Sequence, residues 1–307
     1  MIYIYPIGIK FKYFHNNNNK VIIINIYIMI TFASAFYILK SKFSKNKYEK
    51  WFSNFLTNVK NFNLVVFCDI ESKKLLEKYT NNNDNIKLVI LNIENFYNYK
   101  YKDFWIKNHE KNTLLNCNSK KAGMSSHDTT WKLNMLWSEK ISFVKNIVEN
   151  NYFPETDWYG WCDIGYFRGE SRGDIPPNMI QKWPNKNKIN ILKKDKIYYA
   201  LVRNDPLYLK KLYFIINNKN DLGLPNTPIP PDQWSIAGGF FLLSKEKINV
   251  WHKTYDDKLH LYFKNNYLVK DDQIIIIDNI MSNVNDFELV RENKGTDPWF
   301  VFQRFLL

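Results

Sequence analysis

Three groups of residues have the types and spacing to do chemistry. Asp163 stands in DWYGWCDIGY (157–166), directly after an aromatic run and just before a glycine. A carboxylate at the tip of a buried strand can hold a divalent ion against a diphosphate, with Gly165 leaving room for backbone approach. A turn aspartate has the same local signature, because Asp followed by Gly is common where the chain reverses. Asp271 and Asp272, in VKDDQIIII, form the second group. They can cap the helix that follows and favour its dipole, or one of them can act as base or orienting group for an acceptor hydroxyl. Gly238 and Gly239 in SIAGGFFLL are the third. Glycine weakens a strand unless a ligand or another backbone must come close.

Other catalytic signatures do not occur. GxGxxG and GxxxxGK[ST] are absent, and so are HExxH and GxSxG. His127, His252 and His260 therefore read as surface or helix-flanking residues. Cys68, Cys117 and Cys162 lie far apart without a CxxC pair. That spacing argues against a zinc knuckle or a disulfide framework and suits reduced thiols in a cytosol-like compartment.

The elements that must position these groups follow from hydrophobic periodicity. Val21–Phe32 reads as a strand, and Lys47–Val59 as an amphipathic helix with Trp51, Phe52, Phe55 and Leu56 on one face. A strand at Leu64–Cys68, a helix at Ser72–Tyr79 capped by Ser72 and a strand at Lys87–Leu91 continue the rhythm. Residues 93–125, rich in Asn, Tyr and Lys, read as a long surface excursion. A helix over 130–148 follows, started by Asp128 or Thr130, and WYGWC is then a central strand that puts Asp163 at its carboxyl end. Further on come strands at Ile197–Val202 and Ser235–Leu243, and helices at Pro206–Asn217, Lys245–Phe263 and Lys270–Ile280. Alternation of this kind predicts one α/β domain over 29–307, with a mostly parallel sheet and helices on both faces. Residues 1–28 would be an N-terminal extension.

Composition bounds the partners. The 307 residues are 45% hydrophobic and 17% aromatic, ample for a large core and incompatible with wholesale disorder. Net charge is +13, yet the lysines are scattered and no nucleic-acid motif accompanies them. A solvated lysine-rich surface accounts for most of these charges; nucleotide phosphates or a membrane surface would suit the balance, and no nucleic acid is expected. Residues 21–39 carry no charge and are long enough to cross a bilayer, but Asn25, Thr31 and Ser34 interrupt the run. A buried strand accounts for it equally, so a cytoplasmic location is expected, with peripheral membrane association as the second choice. Heavy use of Asn, Ile, Lys and Tyr suits an AT-rich genome, such as that of a giant virus or a low-GC bacterium.

Five segments together resemble the HtrL/YibB (WlaTC-like) glycosyltransferase family. They are TFASAFY (31–37), TWKLNMLWSEKISFVKNIV (130–148), WYGWCDIGYFR (158–168), SIAGGFFLL (235–243) and KDDQII (270–275), in that order. The resemblance spans residue 29 to the C-terminus and implies a single GT-A-like, Rossmann-like domain that binds a nucleotide sugar such as a UDP-sugar. It further implies that Thr31, Phe32, Ala33 and Ser34 hold the base. Asp163 would be the first acid of a DxD motif and hold Mn²⁺ or Mg²⁺ against the donor diphosphate. The third motif position is Gly165, which leaves one carboxylate there. Gly238, Gly239, Asp271, Asp272 and Gln273 would line the sugar and acceptor pocket, and a glycan or glycoprotein would accept the sugar. Lys140 and Arg168, flanking the Asp163 strand, would help the charged leaving group depart. The ending RENKGTDPWF is similar to the HxGxxKPW tail of glycogenin-like enzymes, with Glu292 and Asp297 in place of its histidine and lysine and Lys294 left to serve the phosphate. A catalytically silent sugar- or nucleotide-binding protein on the same scaffold is the alternative.

Overall fold

Seven segments pair into one sheet, and the five inner ones are buried on both sides, as strands covered on both faces must be. The computed structural model describes residues 11–12, 24–25, 29–39, 43–116, 130–154, 156–292 and 295–307. The strands are β1 (Met29–Phe36), β2 (Asn63–Cys68), β3 (Ile86–Ile90), β4 (Thr156–Cys162), β5 (Ile197–Leu201), β6 (Ile236–Ser244) and β7 (Phe287–Val290). Their spatial order is β3-β2-β1-β4-β6-β5-β7. β6 runs antiparallel to both neighbours, and the other pairings are parallel. Phe11–Lys12 and Ile24–Asn25 form a separate two-stranded ribbon.

Helices cover both faces. Alternate residues of β1 divide between two cores: Ala33 and Ala35 face one, Phe32 and Phe36 the other. On the first face lie α5 (Lys140–Glu149), α8 (Ile248–Lys264) and α9 (Asp272–Ser282), following α3 (Lys102–Asn116) and α4 (Trp131–Ser138) in the same layer. On the second lies α1 (Lys45–Leu56), which buries Trp51, Phe52, Phe55 and Leu56, with α2 (Ile70–Thr80), α6 (Lys186–Asn190) and α10 (Val301–Phe305) beside it. α7 (Pro206–Asn217) packs on α9. The second core is largely aromatic: the Phe32 ring stacks on Trp183 at 5.3 Å and meets Phe62 edge-on at 5.5 Å.

Several boundaries differ from expectation for definite reasons. β1 begins at Met29 rather than Val21 and runs on to Phe36, which moves its carboxyl end four residues further along. α2 is capped by Asp69, whose Oδ1 accepts from Ser72 N at 2.7 Å, so Ser72 lies inside the helix. The Ser72 hydroxyl instead accepts from Ile38 N at 3.1 Å and ties down the loop after β1. Residues 93–116 are two short 3-10 turns, parted at Phe96, and a helix rather than a surface excursion, while 117–125 lie outside the described residues. Tyr101, Trp105, Asn108 and Asn112 recur there at helical spacing and are buried. Asn108 exchanges two hydrogen bonds with the Val269 backbone, at 2.6 and 2.8 Å.

The expected helix over 130–148 is two helices, α4 and α5, joined at Glu139. The Glu139 carboxylate accepts from Tyr97 N at 2.7 Å and Asn98 N at 2.9 Å, pinning the joint to the neighbouring segment. Thr130 caps α4, and Asp128 lies outside the described residues. No helix among the described residues is long and apolar enough to cross a membrane; within 21–39, Met29–Phe36 enters the sheet.

Candidate active site

β1, β2 and β3 step outward on one side, and β4 then pairs on the other side of β1. The crevice at such a reversal, outside the carboxyl ends of the strands, is where doubly wound sheets bind ligands. A cleft of about 160 Å³ opens there. Its floor is the end of β1 and the following loop, Ala35–Leu39. Leu133, Leu136 and Trp137 of α4 form one wall; Phe43, Lys45, Tyr48 and Arg168 form the other, and Lys140, Trp161 and Asp163 close the inner end.

Asp163 occupies the carboxyl end of β4. Its backbone N–H bonds to Gly239 O at 2.9 Å, so β6 fixes the strand tip from the far side. Its Oδ1 accepts from Trp161 Nε1 at 2.5 Å and faces Lys140 Nζ at 3.8 Å. The side chain remains 39% exposed and so is open to a ligand.

Lys140, the first residue of α5, is almost wholly enclosed. Its ammonium donates to Asp272 Oδ2 at 2.9 Å and to Gly238 O at 2.8 Å. Burial alone would lower its pKa, but the Asp163 and Asp272 carboxylates outweigh burial and raise it, so the charge persists. Asp272 is 5% exposed, and burial pushes its carboxyl up to about 6 despite Lys140.

Two glycines make this cluster fit. β6 carries a bulge against β5 between the pairs Tyr199–Phe241 and Ala200–Ala237, so 238–240 leave that ladder. Bulges of this kind re-aim a strand beside a site. A Cβ on Gly238 would lie 2.7 Å from Asp272 Oδ2, and one on Gly239 would lie 3.0 Å from Asp163 Oδ2. The close approach inferred from glycine within a strand is thus an approach of carboxylates.

The remaining predicted residues divide. Arg168 lines the cleft, its Nε donating to Gly165 O at 2.9 Å and its guanidinium packed over Trp51 at 4.4 Å. Gly165 lines it too, and a Cβ there would meet the Trp51 ring at 2.9 Å. The glycine at the third motif position therefore has a packing cause. Thr31, Phe32, Ala33 and Ser34 are fully buried within β1 and do not reach the cleft, whose share of that strand begins at Ala35. Asp271 is the cap of α9, its Oδ1 accepting from Gln273 N at 3.1 Å, and burial raises its carboxyl. Gln273 is buried in the first turn of α9. Asp272 alone of these three touches the Lys140 cluster. Glu292 is taken by Arg304, Nε to Oε1 at 2.9 Å, and Asp297 caps the turn at Pro298–Phe300; Lys294 lies outside the described residues.

No protein-family model matches the chain, and no curated protein matches it. What the site can do therefore rests on its own geometry. Sequence reasoning missed the aromatics that line the cleft, Tyr37, Phe43 and Tyr48, and the cation Lys45. Each follows the end of β1, so locating that end at Phe36 is the signal that finds them.

Whether the site suits a divalent ion can be judged from its donors. Among the described residues no three His, Cys, Asp or Glu side chains converge. Mg²⁺ characteristically takes one or two carboxylates and fills its octahedron with water and substrate phosphates. Asp163, with Oδ1 held by Trp161 and the side chain open to the cleft, meets that requirement.

Proposed function

We propose that the chain is a glycosyltransferase that moves a sugar from a nucleotide-diphosphate donor to a glycan or glycoprotein acceptor. One observation carries the reading. At the topological switch point an open carboxylate, Asp163, is backed by the buried Lys140–Asp272 pair and faces a cleft that Lys45 and Arg168 also line. Three cations lining a cleft that holds one open carboxylate suit a polyanion such as a diphosphate, and the aromatic lining suits a base. The resemblance to HtrL/YibB, WlaTC-like, glycosyltransferases agrees with that assignment and remains part of the proposal.

In this reading Lys45, Lys140 and Arg168 offset the negative charge that grows on the nucleotide diphosphate as the glycosidic bond breaks. Asp163 holds Mn²⁺ or Mg²⁺, which when bound neutralises the diphosphate. Asp272 keeps the Lys140 ammonium aimed at the strand tip rather than into solvent. Free, buried Cys68 and Cys162 suit reaction in a reducing cytoplasm.

A catalytically silent sugar- or nucleotide-binding protein is the second reading. It is favoured by Gly165, where the Trp51 ring fills the place of a second motif acid. Thermal-shift titration with UDP and UDP-sugars, with and without Mn²⁺, on wild type and Asp163→Ala tests both. The transferase reading expects Mn²⁺-enhanced stabilisation, lost in Asp163→Ala, together with UDP release when glycans are added. Binding without release would favour the silent protein, and absence of any nucleotide effect would remove the transferase reading and leave a silent protein only as a binder of sugar.

A further inference from the structure

Beyond the cleft, the ligand-binding edge of the sheet carries a second construction. β6 is antiparallel, so its start lies at the same edge as the carboxyl ends of β4 and β5. Leu201 pairs with Ile236, and Val202 N donates to Ser235 O at 2.8 Å, which extends the ladder by one rung. The next residues outward are Arg203 and Trp234. The Arg203 guanidinium lies 3.4 Å over the Tyr208 ring and 5.8 Å from Trp234, and it also faces Asp205 at 3.9 Å. Gln233 is buried, and its Oε1 accepts from Ser235 N at 3.1 Å, which anchors the backbone beside the indole. Trp234 is nevertheless 45% exposed.

Single exposed apolar residues are ordinary on protein surfaces. Trp234 differs because an anchored backbone holds a large flat ring at the edge where ligands bind, beside an Arg203 guanidinium that is itself fixed over Tyr208. Gly238, which touches the reaction cluster, is four residues along the strand, roughly 13 Å at 3.3 Å per residue. Trp234 thus lies outward of the cluster along the chain, on the β5–β6 side rather than the donor side between β1 and β4.

We propose that Trp234, backed by Arg203 and Tyr208, is an acceptor subsite that stacks on a pyranose ring one unit removed from the sugar bearing the accepting hydroxyl. The inference rests on the transferase reading, and it makes the acceptor an oligosaccharide of at least two sugars. The apolar face of the pyranose covers the indole, and Arg203 N–H groups donate to ring hydroxyls.

The test is an oligosaccharide array probed with the full chain, wild type, Trp234→Ala and Trp234→Phe, with UDP-induced thermal shift measured in parallel. Wild type should bind a set of oligosaccharides. Trp234→Ala should weaken that binding by about tenfold or more, and Trp234→Phe should restore most of it. The UDP shift should be the same in all three. Equal array binding by wild type and Trp234→Ala overturns the subsite, as does an array that wild type ignores or a UDP shift lost in Trp234→Ala. Absence of a UDP shift in wild type would remove the transferase reading alone, because glycan binding lost with Trp234 would still locate a sugar platform.

Discussion

Gly238 yields its side-chain position to Asp272: a Cβ there would stand 2.7 Å from Oδ2 and 2.9 Å from Oδ1 of that carboxylate. Asp272 cannot easily retreat, because Lys140 grips it and it is buried at the start of α9. Gly238→Ala should therefore destabilise the fold by about 1–3 kcal/mol, the usual cost of overpacking. Gly239→Ala should cost less, since its Cβ would meet Asp163 Oδ2 at 3.0 Å and Asp163 is 39% exposed and able to swing aside. Urea denaturation of the two variants measures the difference. Equal stability of Gly238→Ala and wild type would show that the carboxylate is not confined as described.

Lys140 compensates two acids, one buried and one open. Replacing it by methionine keeps its volume and removes the charge, leaving the buried Asp272 carboxyl without its partner. Removing one member of a buried pair costs roughly 3–5 kcal/mol, and most of that returns when the orphaned charge is removed as well. Lys140→Met should accordingly unfold at much lower urea, and Lys140→Met with Asp272→Asn should recover most of the loss. A double variant no more stable than the single one would mean that the lysine acts through something other than Asp272.

The parts of this site that could be read from sequence are those with local signatures. An acid after an aromatic strand, two glycines in a β-patterned run and paired acids before an apolar helix each announce themselves within ten residues. Their convergence does not, because Lys140 meets Asp272 across 132 positions and only the folded sheet brings them together. The resemblance put the base at 31–34, and the apolar run there does not reveal where its strand ends; β1 ends at Phe36, and the cleft takes 35–39 instead. The helices of 93–116 were hidden by Asn, Lys and Tyr, whose abundance masks a buried stripe only four residues long. Nothing near Gly165 could have announced Trp51, which comes from α1, more than a hundred residues earlier.

Titration gives a separate handle on the cluster. Burial pushes the Asp272 carboxyl to about 6 from an ordinary 3.8. Between those values the native state holds more protons than the unfolded chain, so this group makes stability fall as pH rises from 3.8 through about 6. Above that range its contribution is level. Asp272→Asn abolishes the slope. Glu139, pushed by burial to about 7, contributes with the same sign at higher pH, and His252, lowered by burial to about 4, contributes with the opposite sign. Both remain in the variant and cancel when its curve is subtracted from that of wild type. The expected difference in unfolding free energy therefore changes between pH 3.8 and about 6, with wild type losing ground relative to Asp272→Asn, and is constant above. Urea midpoints measured at half-unit intervals across that range provide the check. Parallel curves would mean that Asp272 titrates alike folded and unfolded, and burial would then not outweigh Lys140 at this carboxyl.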